Sequence, residues 1–496
     1  MIVLGAIVAL VVAVRLRPDV LFDDAAITFR YAARIADGSG FTFNDGDRTN
    51  GASAPLYTLV LALGAVFGAA PERTAVVLGA MSFTTVVVLV GVLADRIAGR
   101  VASVVAMGVL TTSTVFQNQA LSGMESALAC ALGLGALVAL AGRRFALAGL
   151  LLGLALFNRL DALALAVPMV SVAAILDRRA ARRVAMMAAG TLLPWIVFAT
   201  VYFGSPIPYS GTQKLDGRAG ASPFDPTWVL RAVTGREGIV VFLVAMGLPA
   251  LVVAKCLGTR FHGLTELRVW SGRIMPPAPV WTDAAVMVAF AWIAVHGVFY
   301  SLVDLGAPYP WYTTVIFPVV ALGSGVTVAL LIRSVRHAYV PVGHAHPRTR
   351  MPVLAAAVLV FGLVSVAAVS RSEAITFTAQ SVTGGFEHRA SRDLDGTRRA
   401  AGGYLRVEAD KGDVVRTCFG WVAYGAIDHA IDEACPLSTR RPVGNPDWIV
   451  ESPGPGESLD VPKDFRLVAK FEAEQRQQDQ NGEFSGATFV FRLNPD

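Results

Sequence analysis

The sequence predicts a polytopic α-helical membrane protein of about eleven spans, followed by a soluble C-terminal α/β domain. Three observations carry this prediction. Of its 496 residues, 54% are hydrophobic and only 16% charged, against roughly 25% charged in soluble globular proteins. The mean hydropathy is +0.56. The apolar residues are also gathered into long runs that stop near residue 370. Too few polar residues remain to cover a water-facing surface, so lipid must replace water around much of the chain.

The apolar runs lie at 2–14, 54–70, 74–94, 101–115, 126–141, 145–157, 160–176, 184–203, 238–254, 284–303, 311–332 and 352–370. A span needs about 20 residues. Met1–Val14 has no charged leader and no small-residue cleavage site, so it reads as a retained, short first helix. The linkers 95–100, 142–144, 177–183, 255–283 and 333–350 hold sixteen Lys and Arg residues, whereas 116–125, 158–159 and 304–310 hold only Arg159. Positive charge marks the cytoplasmic side. The two sets alternate correctly if 54–70, which opens on a polar stretch and Pro55, lies in the interface or re-enters without crossing. The N-terminus is then inside and the C-terminus outside. The net charge of +5 is small for this length and gives no reason to expect a nucleic-acid partner.

These patterns divide the chain into a transmembrane part, 1–370, with a first outer loop at 15–73, and an extracytoplasmic domain, 371–496. In the second part Val414–Cys418, Trp448–Val450, Phe465–Phe471 and Ala487–Leu493 read as strands. Cys130 and Cys256 fall in or beside apolar runs and read as packing residues. Cys418 and Cys435 lie in the polar tail, where oxidising surroundings permit a disulfide. Closing the loop between them would contribute roughly 3 kcal/mol.

Five linkers, distant in sequence, bring polar or aromatic groups to the outer face. Leu21–Tyr31 reads LFDDAAITFRY, with Asp23 and Asp24 at the start of a short amphipathic helix. Carboxylates there are favoured by the helix dipole, and at a membrane surface they must be solvated, paired or functional. Loop 41–57 carries Arg48. Ser122–Glu125 places Glu125 at a helix start, and Asn158–Asp161 places Arg159 and Asp161 at a helix corner. Phe203–Lys214 supplies Tyr209 and Lys214, and Tyr309–Tyr312 supplies Tyr309, Trp311 and Tyr312. Taken singly, the arginine and aspartate read as an ion pair and the aromatics as an interfacial belt. Their convergence points to a site.

The order DDAAITFRYA, GSGFTFNDGDR, APLYTLVLALGAVFG, SGMESAL, LLGLALFNRLDALALAVP and YFGSPIPYSGTQK resembles the bacterial GT-C glycosyltransferases. It is most similar to the terminal arabinofuranosyltransferases of actinobacterial cell walls. The resemblance runs through about residues 1–215 and more faintly into YLRVEADKGDVVRTCFGWVAYGAIDHAID. The pattern departs at Ala26, at Arg48-Thr49-Asn50, at Leu160 and at Tyr209.

This resemblance implies a GT-C-like catalytic domain in the plasma membrane, using a polyprenyl-phosphate sugar donor and a cell-envelope glycan acceptor. It implies that Asp24 or Asp23 acts as general base on an acceptor hydroxyl, with inversion at the sugar. The donor phosphate needs cationic partners, for which Lys214, Arg159, Arg30 and Arg48 are the candidates. Glu125, Asp161 and Tyr209 join them as substrate-binding residues, and Tyr309, Trp311 and Tyr312 would stack on sugar rings. No cofactor is required by the residues themselves. A divalent cation (Mg2+, Mn2+ or Ca2+) held by Asp23 is left open. The alternative is a transporter or flippase of lipid-linked saccharides. It predicts internal repeats and ionisable breaks at mid-membrane, neither of which is seen in the sequence.

Overall fold

The structure is a computed structural model. It describes residues 21–209, 280–302, 314–338, 397–418, 420–433, 445–452, 462–472 and 487–494, with Ile7, Gly211 and Tyr312. In chain order the helices are α1 (Asp23–Ala36), α2 (Pro55–Val66), α3 (Pro71–Ala98), α4 (Arg100–Thr112), α5 (Thr114–Leu121), α6 (Ser126–Ala141), α7 (Phe145–Asn158), α8 (Leu163–Leu176), α9 (Arg178–Phe203), α10 (Val280–Leu302) and α11 (Ile316–Ala338). A helix at 397–408, α12, precedes α13 (Gly420–Gly425).

Helices α3 to α11 pack around one apolar core in which alanine, valine and leucine dominate. In lipid, helices associate through close van der Waals fit rather than exclusion from water, so small residues gather where backbones approach. At Gly149 a β-carbon would stand 2.4 Å from the Val184 carbonyl of α9. The outer face of α9 is apolar, with Met186, Leu193, Val197 and Val201 more than half exposed. Water would penalise such a surface and lipid would not.

Among the described residues three helices are long and apolar enough to cross a membrane: Pro71–Ala98, Arg178–Phe203 and Val280–Tyr300. At 1.5 Å per residue the shorter α4, α6, α7 and α8 reach only about 20–25 Å, less than the ~30 Å hydrocarbon thickness. The expected spans at 2–14, 238–254 and 352–370 lie outside the described residues.

Three sequence boundaries change. The run 101–115 breaks at Ser113, whose hydroxyl accepts the Phe116 amide, and the expected linker 116–125 contains most of α5. Buried Gln117 and Gln119 made that stretch look solvent-exposed. They instead bond Thr111 and Thr314. The basic stretch 177–183 is not a linker but the first turns of α9, capped by Asp177 through the Arg179 amide at 2.8 Å. The region 333–350 likewise begins inside α11.

The tail forms a five-stranded mixed sheet from β1 (Val414–Thr417), β2 (Ala430–Glu433), β3 (Trp448–Glu451), β4 (Phe465–Glu472) and β5 (Ala487–Leu493). Its strand order is β2-β1-β3-β5-β4. β1 runs parallel to β2 and β3, while β5 pairs antiparallel with β3 and β4. α13 is the crossover between β1 and β2. Cys418, just past β1, is disulfide-bonded; its expected partner Cys435 lies outside the described residues. Cys130 is free and buried in the bundle, while Cys256 is outside the described residues.

The sheet does not stand apart from the loop that follows α1. Tyr31, Phe41 and Phe43 share a buried cluster with Trp195 and Phe203 of α9 and with Val415, Val422 and Val450 of the sheet region. α13 lies against α1, with the Trp421 ring edge-on to Phe29 at 5.8 Å. The contact needs glycine at residue 420, where a β-carbon would meet the Asp23 carbonyl oxygen at 2.2 Å. That obstacle is backbone and cannot swing aside. Gly420→Ala is therefore expected to push α13 off α1 and to lower stability by about 1–3 kcal/mol. Faster proteolysis within 397–433, with α-helical circular dichroism unchanged, is the measurement that checks it.

Candidate active site

The first turn of α1 holds both aspartates, and the structure separates them. The Phe22 amide donates to the Ser122 carbonyl at 2.9 Å, fixing the start of α1 beside the Ser122–Glu125 corner. The Tyr57 hydroxyl donates to the Gly123 carbonyl at 2.8 Å and braces the same corner from α2. From there Asp23 turns toward the sheet. Its two carboxylate oxygens accept the Gly420 amide at 2.9 Å and the Trp421 amide at 3.0 Å, with Arg398 3.9 Å away. Amides at a helix start are unsatisfied within the helix and attract an anion, and Asp23 supplies it. Asp24, about 100° further round α1, is exposed.

A divalent cation on Asp23 is the possibility that the sequence left open. Both oxygens face N–H donors and a guanidinium, a donor set that favours a carboxylate and disfavours a metal. Among the described residues no group of three or more His, Cys, Asp or Glu side chains could hold a metal ion.

Arg30, a candidate for the donor phosphate in the sequence, is buried. It is 0% exposed. Its Nε donates to the Phe43 carbonyl at 2.9 Å, and its terminal nitrogens reach the carbonyls of Ala426 and His429 at 3.2 and 2.9 Å and also that of Ala423. The guanidinium therefore ties α1 and the loop that follows it to the turn after α13.

A second cluster forms at the α7–α8 corner. The backbone of Arg159 is extended there, with φ −150° and ψ 132°, and its side chain bridges two acids. It ion-pairs with Glu125 and, at 2.7 Å, with Asp161. The Tyr300 hydroxyl donates to Asp161 at 2.6 Å, and the guanidinium lies 5.5 Å from the Tyr312 ring. His296 Nε2 is 2.8 Å from the Tyr312 carbonyl oxygen. Here one cation lies between two carboxylates, the ion pair that the sequence offered as the other reading of Arg159 and Asp161. Sequence spacing paired it with Asp161. Only folding brings in Glu125 and Tyr300.

Arg48 behaves differently. It is exposed, in no ion pair among the described residues, and its guanidinium sits 4.8 Å from the Tyr202 ring. Its loop is joined to the loop after α9, since the Tyr209 amide donates to the Asn50 carbonyl at 2.6 Å and Asn50 Nδ2 donates to Ser205 at 3.2 Å. The expected meeting of the 41–57 and 203–214 linkers is present as far as Tyr209. Lys214, Tyr309 and Trp311 lie outside the described residues.

The sequence reading missed the contribution of the tail. Arg398 approaches Asp23, and Arg399 stacks on Trp421 at 3.9 Å. The Tyr424 hydroxyl donates to Glu72 at 2.8 Å; burial, then the Glu72 charge, pushes this phenol above its ordinary range, which keeps it a donor. The adjacent arginines at 398 and 399 were the one signal available, without a motif to single them out.

No protein-family model matches the chain, and no curated protein matches it. Solved structures do. ArnT from Cupriavidus metallidurans bound to undecaprenyl phosphate is 15% identical with a TM-score of 0.60, and the match covers 100% of this chain and 99% of that one. The oligosaccharyltransferase of Archaeoglobus fulgidus in its apo form is 11% identical with a TM-score of 0.53, covering 91% of this chain and 69% of that one. The chain thus shares its fold with ArnT and with this oligosaccharyltransferase. At these identities the fold is what is shared.

Proposed function

We propose that the protein is a polyprenyl-phosphate-sugar-dependent membrane glycosyltransferase that uses Asp24 as its general base. The observation that carries the reading is the exposed Asp24 carboxylate at the start of α1, anchored beside the Ser122–Glu125 corner. The full-length likeness to ArnT, which was solved with undecaprenyl phosphate, supports a lipid-linked donor. The sugar is proposed to be arabinofuranose and the acceptor a cell-envelope glycan. The site and the sheet domain are proposed to lie on the outer face of the plasma membrane, above about eleven spans.

In this mechanism Asp24 takes the proton of an acceptor hydroxyl within about 3 Å of it. The acceptor oxygen bonds to the anomeric carbon from the face opposite the lipid, and the bond from that carbon to the phosphate oxygen breaks. The configuration inverts, and polyprenyl phosphate leaves with the bonding pair. Arg48 and Lys214 are proposed to offset the charge of that phosphate. Asp23 holds α13 and the sheet against α1, so that the acceptor meets Asp24 between the two.

The test is a donor panel. Purified protein in detergent is given polyprenyl-phosphate sugars, beginning with arabinofuranose, and a short glycan acceptor. Transfer from one donor is expected. Failure with every donor and acceptor would sink the reading.

A further inference from the structure

Four arginines open α9: Arg178, Arg179, Arg182 and Arg183. All are exposed, and none is in an ion pair among the described residues. Their placement is unfavourable for the protein alone. Arg178 and Arg179 sit in the first turn, where the helix dipole opposes a cation, and no acid shares that turn. Arg178 and Arg182, like Arg179 and Arg183, are like charges one turn apart and repel each other. Asp177 is committed as the cap, accepting the Arg179 amide at 2.8 Å. Marking one side of a membrane with positive charge does not require arginines in this turn, since a loop would serve.

The stripe runs on into apolar surface. At 100° per residue the four arginines cover one side of α9. Met186, Leu193, Val197 and Val201 follow on that side, each more than half exposed. Ala181, Val184 and Ala188 on the other side are buried, with the backbones of Val184 and Ala188 against Gly149 and Gly153 of α7. This register makes the two helices parallel. The exposed Arg143 and Arg144, just before α7, therefore stand at the level of the first turns of α9 and add to the charge there. α7 rises about 20 Å from this level to Asn158, so the stripe is remote from the Arg159 corner.

A phosphate pairs well with guanidinium groups, which donate to it in a fixed fork. Basic clusters next to a span attract anionic headgroups. An apolar stripe directly below takes acyl chains. We infer that this side of α9 binds one anionic glycerophospholipid, its phosphate on the arginines and its chains along Met186, Leu193 and Val197. A zwitterionic lipid would bring its own cation against the arginines and is disfavoured. The inference stands apart from the glycosyltransferase reading.

The test uses the full chain in a neutral detergent, with lipid retention followed by native mass spectrometry and unfolding by temperature. The probes are phosphatidylglycerol, phosphatidylcholine of the same chains, and inorganic phosphate. Phosphatidylglycerol is expected to be retained and to raise the unfolding temperature, well beyond either of the others. Arg178→Gln combined with Arg182→Gln is expected to weaken its binding about tenfold. Without lipid this double variant should unfold no lower than wild type, because it relieves repulsion and strands no buried group. Arg100→Gln, exposed on α4, which packs on α3 and α11, is expected to leave binding unchanged. Equal retention of the two lipids overturns the inference, as does equal stabilisation by inorganic phosphate, unaltered binding in the double variant, or the same loss in Arg100→Gln. A double variant that unfolds lower in the absence of lipid also overturns it, since the arginines would then serve the fold itself.

Discussion

Asp24→Asn is expected to lower sugar transfer by about 10²–10⁴-fold, the range of a lost general base, while thermal unfolding in detergent stays where it was. The amide keeps the size of the side chain and removes its proton affinity. Asp24 is exposed, so the substitution opens no cavity in the core. Asp23→Ala is expected to do the reverse in kind. Removing its carboxylate leaves the Gly420 and Trp421 amides and Arg398 facing an apolar methyl. Hydrogen bonds to a charged group contribute about 1.5–3 kcal/mol, so unfolding should move to lower temperature and the tail should become easier to cleave. Activity in Asp23→Ala would fall because α13 is no longer held against α1, and Asp23→Asn would restore part of it through one remaining acceptor. Equal stability in both alanine variants, with equal loss of activity, would mean that the two carboxylates share one role.

The second large effect is expected at the α7–α8 corner. Arg159→Ala strands Glu125 and Asp161 in a site where the arginine and the glutamate are 12% and 3% exposed. Breaking a buried ion pair from one side costs about 3–5 kcal/mol. The protein should unfold at markedly lower temperature or fail to accumulate. Adding Glu125→Gln and Asp161→Asn to Arg159→Ala removes the stranded charges and is expected to recover much of the loss. If Arg159→Ala instead unfolds like wild type and only weakens donor affinity, the guanidinium reads as a phosphate ligand and the corner is not structural.

Much of the architecture was legible because periodicity and charge are local. Four strands of the sheet lie at the short apolar stretches, to within a residue at their ends: Val414–Thr417, Trp448–Glu451, Phe465–Glu472 and Ala487–Leu493. β2 escaped because Ala430–Glu433 carries two acids in four residues. It is a strand because its backbone pairs with β1 and Asn44 holds Ile431. α5 escaped because buried glutamines look like surface in a sequence. The bundle helices were legible as apolar runs, but where each run ends depends on caps such as Ser113 and Asp177, and on packing.

Legible in the sequence alone were the apolar helices among the described residues, four strands of the tail, and the helix that Asp23 and Asp24 open. Those features follow from side-chain character and spacing along one segment. Only the tertiary structure decided what each charge does. Asp23 and Asp24 are neighbours in sequence, yet α1 turns one onto the α13 amides and leaves the other exposed. Arg30, Arg48 and Arg159 are alike as residues. One is buried among carbonyls, one lies open against a tyrosine, and one is neutralised by two acids. The physical reason is that the role of a charge is set by the partners that folding brings within a few ångströms, and those partners come from segments hundreds of residues away.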